Sequence, residues 1–229
     1  MLNEHTVKVI IPALNEAQAI GRVLEALPSW IDEIIVVDNG STDRTAEIAT
    51  RHGARVIHEP KRGYGQACHT GVEAAGSADI LLFVDADYSD YPEEAGDLVR
   101  PIAEGKFDLV IGSRARGSRA RGALTVQQRF GNWLACRLIA FFWGYRYTDL
   151  GPFRAVRSSV LQALGMQDRG YGWTTEMQIR AARDGYRILE VPVSYRPRIG
   201  QSKISGTVSG VVGAGSKILL TIFRYARGS

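Results

Sequence analysis

The stretch Ile80-Leu81-Leu82-Phe83-Val84-Asp85-Ala86-Asp87 decides the fold, because an apolar run typical of a buried strand ends in two acidic residues. Residues two apart on an extended strand point the same way, so the carboxylates of Asp85 and Asp87 leave the sheet together. Adjacent carboxylates repel unless a cation lies between them, and Mg2+ and Mn2+ prefer such oxygen ligands. The pair therefore predicts a divalent-cation site that also accepts a diphosphate. Alone, an Asp-x-Asp sequence is also common in solvated turns, so its meaning depends on its surroundings.

Strand and helix patterns alternate on both sides of this stretch. The patterns predict strands at 7–11, 34–37, 56–58, 80–84 and 109–111, and helices at 64–75 and 92–103. A further helix follows Asn15, which together with Gln18 three residues later is typical of a capping box. This alternation predicts an α/β fold with a mostly parallel sheet and helices on both faces.

Polar loops follow three of the predicted strands, at residues 12–16, 38–41 and 85–87. In a right-handed α/β sheet such loops collect at the same edge. Their convergence predicts a site for a nucleotide and a metal ion. Each loop alone has a simpler explanation, because Asp38 would shape a turn and Glu16 would cap a helix.

Length and charge limit the organisation of the chain and its partners. The 229 residues are 45% apolar, enough for one substantial core, and carry a formal net charge of +4. We predict one domain over residues 1–206 and an amphipathic helical tail over 207–229, where apolar residues lie among basic ones. The charge favours nucleotide phosphates, lipid phosphates, an acidic membrane surface or nucleic acid. The tail would suit a membrane surface or a second copy in a homo-oligomer.

Several patterns bear on compartment and on nucleic-acid binding. Cys68 and Cys136 lack Cys-x-x-Cys spacing, and the first residues lack a secretory pattern. The longest strongly apolar run, residues 138–143, is far shorter than the ~20 residues of a spanning helix. We therefore predict a cytoplasmic protein, at most peripheral on the inner face of the membrane. The basic segment 114–121 has no aromatic residues for stacking on bases, so we interpret it as a mobile loop over phosphates or a solvated turn, with no nucleic-acid partner.

Five sequence blocks, taken in order, resemble a known enzyme family. Residues 9–16, 36–43 and 85–87 resemble the successive signatures of glycosyltransferase family 2 enzymes with the GT-A fold. Residues 149–154 and 200–203 resemble blocks of polyprenyl-phosphate glycosyltransferases, including dolichyl-phosphate mannose synthases. The resemblance implies transfer of a sugar, with inversion, from a nucleotide-diphosphate sugar to a polyprenyl or related lipid phosphate. It also implies Mg2+ or Mn2+ as cofactor.

The same resemblance assigns the residues of the donor site. It implies that the base and ribose lie beside four residues of the first loop, namely Pro12, Ala13, Leu14 and Glu16, and that Asp38 reads their edge. Asp85, Ala86 and Asp87 would hold the cation and the diphosphate, and Arg114 would pair with the diphosphate. Ser89 stands where relatives often have a metal-binding Gln, so the third metal ligand is Ser89, water or Asp90.

The acceptor half offers two chemical interpretations. A phosphate acceptor is already ionised, so it needs cations more than a base, and the matching blocks supply Arg129, Arg154, Arg196, Arg198, Ser202 and Lys203. Of these, Arg129, Arg198, Ser202 and Lys203 are our acceptor-site residues, and Arg129 and Lys203 join Asp87 in catalysis. The alternative is a hydroxyl acceptor with Glu176 as general base, although a Glu in the first turn of a helix is also stabilised by the helix dipole.

Two other functions use a similar architecture. A nucleotidyltransferase would open with a Gly-rich loop around the triphosphate, which residues 12–16 do not provide. A non-catalytic sugar-nucleotide binding protein would differ from an enzyme by the absence of metal-dependent donor turnover. The apolar face of residues 130–142 is either part of the core or an interfacial helix.

Overall fold

The computed structural model describes residue 2, residues 4–200 and residues 208–227. The strands are β1 (Val7–Ala13), β2 (Glu33–Asp38), β3 (Arg55–His58), β4 (Ile80–Phe83), β5 (Leu109–Ser113), β6 (Arg154–Arg157) and β7 (Ile188–Pro192). The helices are α1 (Ile20–Ala26), α2 (Thr45–Arg51), α3 (Tyr64–Ala75), α4 (Ala95–Ala103), α5 (Val126–Trp143), α6 (Ser158–Leu164), α7 (Trp173–Arg183) and α8 (Val208–Arg227). A 3-10 turn, Pro92–Glu94, leads into α4.

The strands form one sheet in the order β3-β2-β1-β4-β6-β5-β7. All pairs are parallel except those of β6, which runs antiparallel to both β4 and β5. The predicted mostly parallel sheet is therefore confirmed, while β6 and β7 were not predicted. Because β2 and β4 lie on opposite sides of β1, a crevice opens beyond the carboxyl ends of β1 and β4, where such sheets bind ligands.

Both faces of the sheet are covered, as predicted. One hydrophobic cluster packs alternate strand residues such as Ile10 and Ile35 against α3, and the other packs Ile11 and Val36 with α1 and α4. The helix α3 lies close against the sheet at Gly71, where an added Cβ would lie 2.4 Å from the Cγ2 of Ile10. The apolar core thus fixes the orientation of the strand ends that form the site.

The predicted capping box at Asn15 is wrong. Helix α1 begins only at Ile20, and Asn15 has a positive φ of 53°. Its backbone N–H donates to Ser41 Oγ at 2.9 Å, and its side chain accepts from the backbone N–H of Thr42 at 2.7 Å. Tertiary partners in the next loop therefore take the bonds that a helix cap would have used.

The helices α5 and α8 pack together on one side of the molecule, and α8 also contacts α7. The Thr125 side chain and Gln128 form a capping box at the start of α5. Over the part of the chain that the structure describes, none of the helices combines the length and apolarity that crossing a bilayer requires. The predicted boundary at residue 206 falls between the described ranges and stays a prediction.

Candidate active site

The loops after β1 and β2 are bonded to each other at the edge of the sheet. The backbone N–H of Asn39 donates to the Ala13 carbonyl at 2.8 Å, and that of Glu16 donates to Thr45 Oγ1 at 2.8 Å. The Asp38 carboxylate accepts from the Ser41 N–H at 3.1 Å and lies 3.0 Å from His58 Nδ1. Hydrogen bonds therefore join two of the three predicted polar loops.

The third loop holds Asp85 and Asp87, which both line a cavity of about 630 Å³. Tyr64, the first residue of α3, donates its hydroxyl to Asp85 Oδ1 at 3.1 Å. Asp87 Oδ1 accepts from the hydroxyl of Ser89 at 2.6 Å and from its N–H at 2.9 Å. Ser89 is 1% exposed and, among the described residues, is not one of those lining the cavity. Its observed contacts position Asp87.

Three aspartates, Asp85, Asp87 and Asp90, lie in this loop. Burial and then the charge of Asp87 raise the pKa of Asp85 to about 7. Asp90 is 1% exposed, and within the described ranges neither of its carboxylate oxygens has a hydrogen-bond partner. Burial, followed by the charges of Asp85 and Asp87, raises the pKa of Asp90 well above its usual value. Asp85 and Asp87 line the cavity, and a positive charge beside them would favour their ionised forms.

Arg198 provides positive charge at the same place. Its Nη2 lies 2.5 Å from Glu16 Oε1 and its Nη1 lies 3.3 Å from Asp87 Oδ2. The neighbouring Arg196 instead donates to the backbone carbonyls of Tyr88 and Asp90, at 2.7 and 2.9 Å. Of these two arginines, the cavity is lined by Arg198. Arg196 holds the loop in place.

Arg114 also lines the cavity, but its guanidinium already has a carboxylate partner. Nε and Nη2 donate to the two oxygens of Asp149, each at 2.8 Å, and the backbone N–H of Arg114 adds a third bond at 2.7 Å. The guanidinium carbon lies 5.0 Å from the centre of the Tyr195 ring. The bidentate surface that we predicted for the diphosphate is therefore occupied by Asp149 in this structure.

Comparison with known proteins identifies the family. Residues 8–165 match the model of the family described as Glycosyl transferase family 2. The chain belongs to glycosyltransferase family 2. This result confirms the predicted family and enzyme class.

Two further similarities place this glycosyltransferase among its relatives. An uncharacterized glycosyltransferase of Mycobacterium tuberculosis is 39% identical over 216 residues, covering 90% of this chain and 93% of the relative. A dolichyl-phosphate hexose transferase of Haloferax volcanii is 35% identical over 208 residues, covering 88% of each chain.

A solved structure confirms the predicted GT-A fold class. Glucosyl-3-phosphoglycerate synthase from Mycobacterium tuberculosis, crystallised with Mn2+, UDP-glucose and phosphoglyceric acid, superposes with a TM-score of 0.77 at 25% identity. The match covers 98% of this chain and 80% of that one.

Residues 122–132 line much of the rest of the cavity, and α8 contributes Gly215 and Ile218. Arg129 lies on the exposed side of α5 and, in the described part of the chain, is not among the lining residues. Arg154 is fully buried and donates to the Thr174 carbonyl at 3.0 Å, so its role here is structural. Ser202 and Lys203 lie outside the described residues, and their assignment stays a prediction.

The Glu176 carboxylate is fully buried in a network that joins α7, α8 and the loop before α7. It accepts from the backbone N–H groups of Gln167 and Asp168, at 2.9 and 2.6 Å, and from Arg180 Nε at 2.9 Å. The hydroxyl of Tyr225 on α8 is a further donor. Within the described ranges Glu176 does not line the cavity of Asp85 and Asp87. These contacts support its role as a structural anchor of the α7 N-terminus.

The basic segment 114–121 is paired with the chain after β7. The Tyr195 N–H donates to the Ser118 carbonyl at 2.8 Å, and the Ala120 N–H donates to the Tyr195 carbonyl at 2.9 Å. At Gly117 an added Cβ would lie 1.9 Å from the Val193 carbonyl oxygen, so only glycine fits this approach. The segment is therefore joined to residues 193–195 by backbone contacts.

Sequence reasoning missed several residues that shape the cavity. Three of them contact the predicted site residues Asp85 or Arg114, namely Tyr64, Asp149 and Tyr195. The fourth, Glu190, contacts Asp149. Glu190 accepts from the backbone N–H groups of Thr148 and Asp149, at 2.9 and 3.1 Å. The only sequence signal for any of these residues was that Asp149 lies in the block 149–154, which resembles polyprenyl-phosphate glycosyltransferases. The other contacts join residues far apart in the chain, so no local pattern indicates them.

Proposed function

We propose that this enzyme transfers a sugar from a nucleotide-diphosphate sugar to a polyprenyl or related lipid phosphate, using Mg2+ or Mn2+. The observation that carries the proposal is that Asp85 and Asp87 line one large cavity together with Arg198 and Arg114. This arrangement combines ligands for a divalent cation with positive charge for phosphates.

The residues present fit a divalent cation. Both carboxylates line the cavity, and the pKa of Asp85 is raised by burial and by its acidic neighbour, which a bound cation would relieve. In the described part of the chain, no group of three or more His, Cys, Asp or Glu side chains is arranged as a closed metal site. Asp85 and Asp87 would therefore be the residues that hold the ion, which would supply positive charge for the donor diphosphate. A bound cation would offset negative charge on the departing nucleoside diphosphate.

The donor assignment rests on the bonded loops and on structural similarity. The related synthase was crystallised with UDP-glucose and Mn2+, which supports a nucleotide-sugar donor here. In our proposal the loops at 12–16 and 38–43 hold the nucleoside. Tyr64 and Ser89 fix Asp85 and Asp87, so the acidic pair needs little rearrangement when the donor binds.

We assign a phosphate acceptor because the carboxylate predicted as a general base, Glu176, is already bonded within the protein. An acceptor phosphate oxygen bonds to the anomeric carbon while the bond from that carbon to the donor diphosphate breaks, and the electron pair leaves with the nucleoside diphosphate. No proton has to be removed from an ionised phosphate. A hydroxyl acceptor would need a base, and Glu176 is fully bonded within the protein. The relative that acts on dolichyl phosphate supports the same choice.

A lipid acceptor also suits the surface around the cavity. Helices α5 and α8, which both line the cavity, contain Arg and Lys but no Asp or Glu. Among the side chains that the structure describes, their exposed large apolar residues are Val126, Phe130, Trp133, Phe141, Phe142, Leu220 and Phe223. Aromatic and basic residues on one face are typical of helices that lie on anionic lipid surfaces. We therefore propose peripheral membrane contact through α5 and α8.

The similarity to glucosyl-3-phosphoglycerate synthase favours a second candidate, a soluble hydroxyl acceptor. Incubation with UDP- and GDP-sugars, Mn2+ or Mg2+, and either polyprenyl phosphate or phosphoglyceric acid separates the two. We expect product only with the lipid phosphate and only with the metal. Asp87→Asn should lower turnover by at least ~1000-fold with the fold retained, whereas the exposed Asp97→Asn on α4 should not. Turnover under exhaustive chelation would contradict the metal, and transfer only to phosphoglyceric acid would contradict the lipid acceptor.

A further inference from the structure

Both carboxylate oxygens of Asp87 are already engaged by protein groups. Oδ1 accepts two bonds from Ser89, and Oδ2 faces Nη1 of Arg198 at 3.3 Å. The Arg198 guanidinium also contacts Glu16 at 2.5 Å, so it joins the first and third loops of the site. A cation that binds Asp87 through Oδ2 would meet a positive guanidinium at the same oxygen.

The backbone around Arg198 is fixed independently of its side chain. The Ile199 N–H donates to the Asp87 carbonyl at 2.9 Å. The Arg196 guanidinium carbon lies 3.4 and 3.9 Å from the ring centres of Tyr88 and Tyr91, in addition to its two bonds to backbone carbonyls. The side chain of Arg198 can therefore leave Asp87 without displacement of the loop.

We propose that Arg198 is a positioning residue that acts as a resident counter-cation of Asp87, competing with the divalent cation until the donor diphosphate provides an alternative partner. The inference rests on the proposed function and deepens it. Two like charges at one carboxylate oxygen repel, whereas a diphosphate offers the guanidinium a bidentate anionic partner. Metal and nucleotide should therefore bind cooperatively, each with higher affinity in the presence of the other.

The test measures binding of Mn2+ itself, by electron paramagnetic resonance of free Mn2+ and by calorimetry, with and without UDP or GDP. Without nucleotide, Arg198→Met should bind Mn2+ at least ~10-fold tighter than the wild type, because the competing charge is gone. With nucleotide present, this advantage should disappear and nucleotide affinity should fall. Arg100→Met, on the exposed side of α4, removes the same charge elsewhere and should change Mn2+ affinity less than twofold.

A second variant predicts a change of opposite sign. Glu16→Gln removes the other partner of the guanidinium, so Arg198 should pair more strongly with Asp87 and Mn2+ should bind more weakly than in the wild type. General loss of structure would weaken binding in both variants and so would contradict the inference. Equal or weaker Mn2+ binding by Arg198→Met without nucleotide overturns it while leaving the proposed function intact. Absence of Mn2+ binding in every variant, with or without nucleotide, overturns both.

Discussion

The two halves of the sheet build their sides of the cavity in different ways. From β1 to β4, apolar strands set the frame and short loops bond to the loop beside them, as Asn15 does with Ser41. From β5 onward, buried charged residues link segments that are far apart in the chain, as in Arg114 with Asp149 and Glu176 with Tyr225. The first half thus depends on close packing of apolar groups. The second half depends more on hydrogen bonds and ion pairs among buried polar groups.

The largest expected change in stability comes from removing a buried carboxylate in the second half of the sheet. Glu176→Ala leaves the backbone N–H groups of Gln167 and Asp168 without their acceptor and the Arg180 guanidinium without its carboxylate partner, so the free energy of unfolding should fall by about 3–5 kcal/mol. Chemical denaturation measures this change, and Glu73→Ala on the exposed side of α3 is the control. Lost activity with unchanged stability would instead favour Glu176 as a base.

Next in size is a change in the apolar half. Gly71→Ala puts a methyl group 2.4 Å from Ile10 Cγ2, so either α3 or the strand must shift, and the free energy of unfolding should fall by about 1–2 kcal/mol. The matched control is Gly213→Ala in α8, where an added Cβ meets nothing within 4 Å. That change should stabilise by up to ~1 kcal/mol through helix propensity. Equal effects at the two glycines would mean that packing at Gly71 is not limiting.

The pH dependence of stability tests Asp85, which lies where the two halves of the sheet meet, after β4. The pKa of Asp85 is about 7 in the folded protein against an ordinary value of 3.8, so the folded state holds this proton more strongly. Without metal, the free energy of unfolding should therefore fall as pH rises from about 4 to 7. Asp85→Asn escapes this loss, so its stability relative to wild type should be about 2 kcal/mol greater at pH 8 than at pH 5.

Melting curves recorded in a chelator at both pH values measure this difference. For the control Asp97→Asn, the stability relative to wild type should be the same at pH 5 and pH 8. A constant difference between Asp85→Asn and wild type at both pH values would show that Asp85 ionises normally.

The smallest effect on stability concerns the outer surface of the second half. Phe141, which is 80% exposed, and Trp133, which is 52% exposed, can change to Ser together with a loss of at most about 0.5 kcal/mol. Sedimentation with vesicles containing anionic lipid should nevertheless show severalfold weaker binding, and neutral vesicles provide the control. If the double variant instead converts a dimer to a monomer and leaves vesicle binding unchanged, the face contacts a second copy.

The contrast between the halves explains what the sequence could predict. The range of α3 and the positions of β1 to β5 follow from apolar periodicity, and the acidic pair follows from its place after β4. The strand β6 could not be predicted, because it has only four residues and two of them are arginines. Arg154 is nevertheless fully buried, since its guanidinium bonds to α7. Contacts such as Glu16 with Arg198 join residues that no local pattern relates.

The pairing of residues 114–121 with residues 193–195 has a mechanical consequence. Because two backbone hydrogen bonds and the close approach at Gly117 join these segments, neither can shift alone without breaking that pairing. Arg114 begins one segment and Arg198 follows the other, so two cationic walls of the cavity are mechanically coupled. A backbone movement in either segment would therefore move Arg114 and Arg198 together relative to the rest of the cavity.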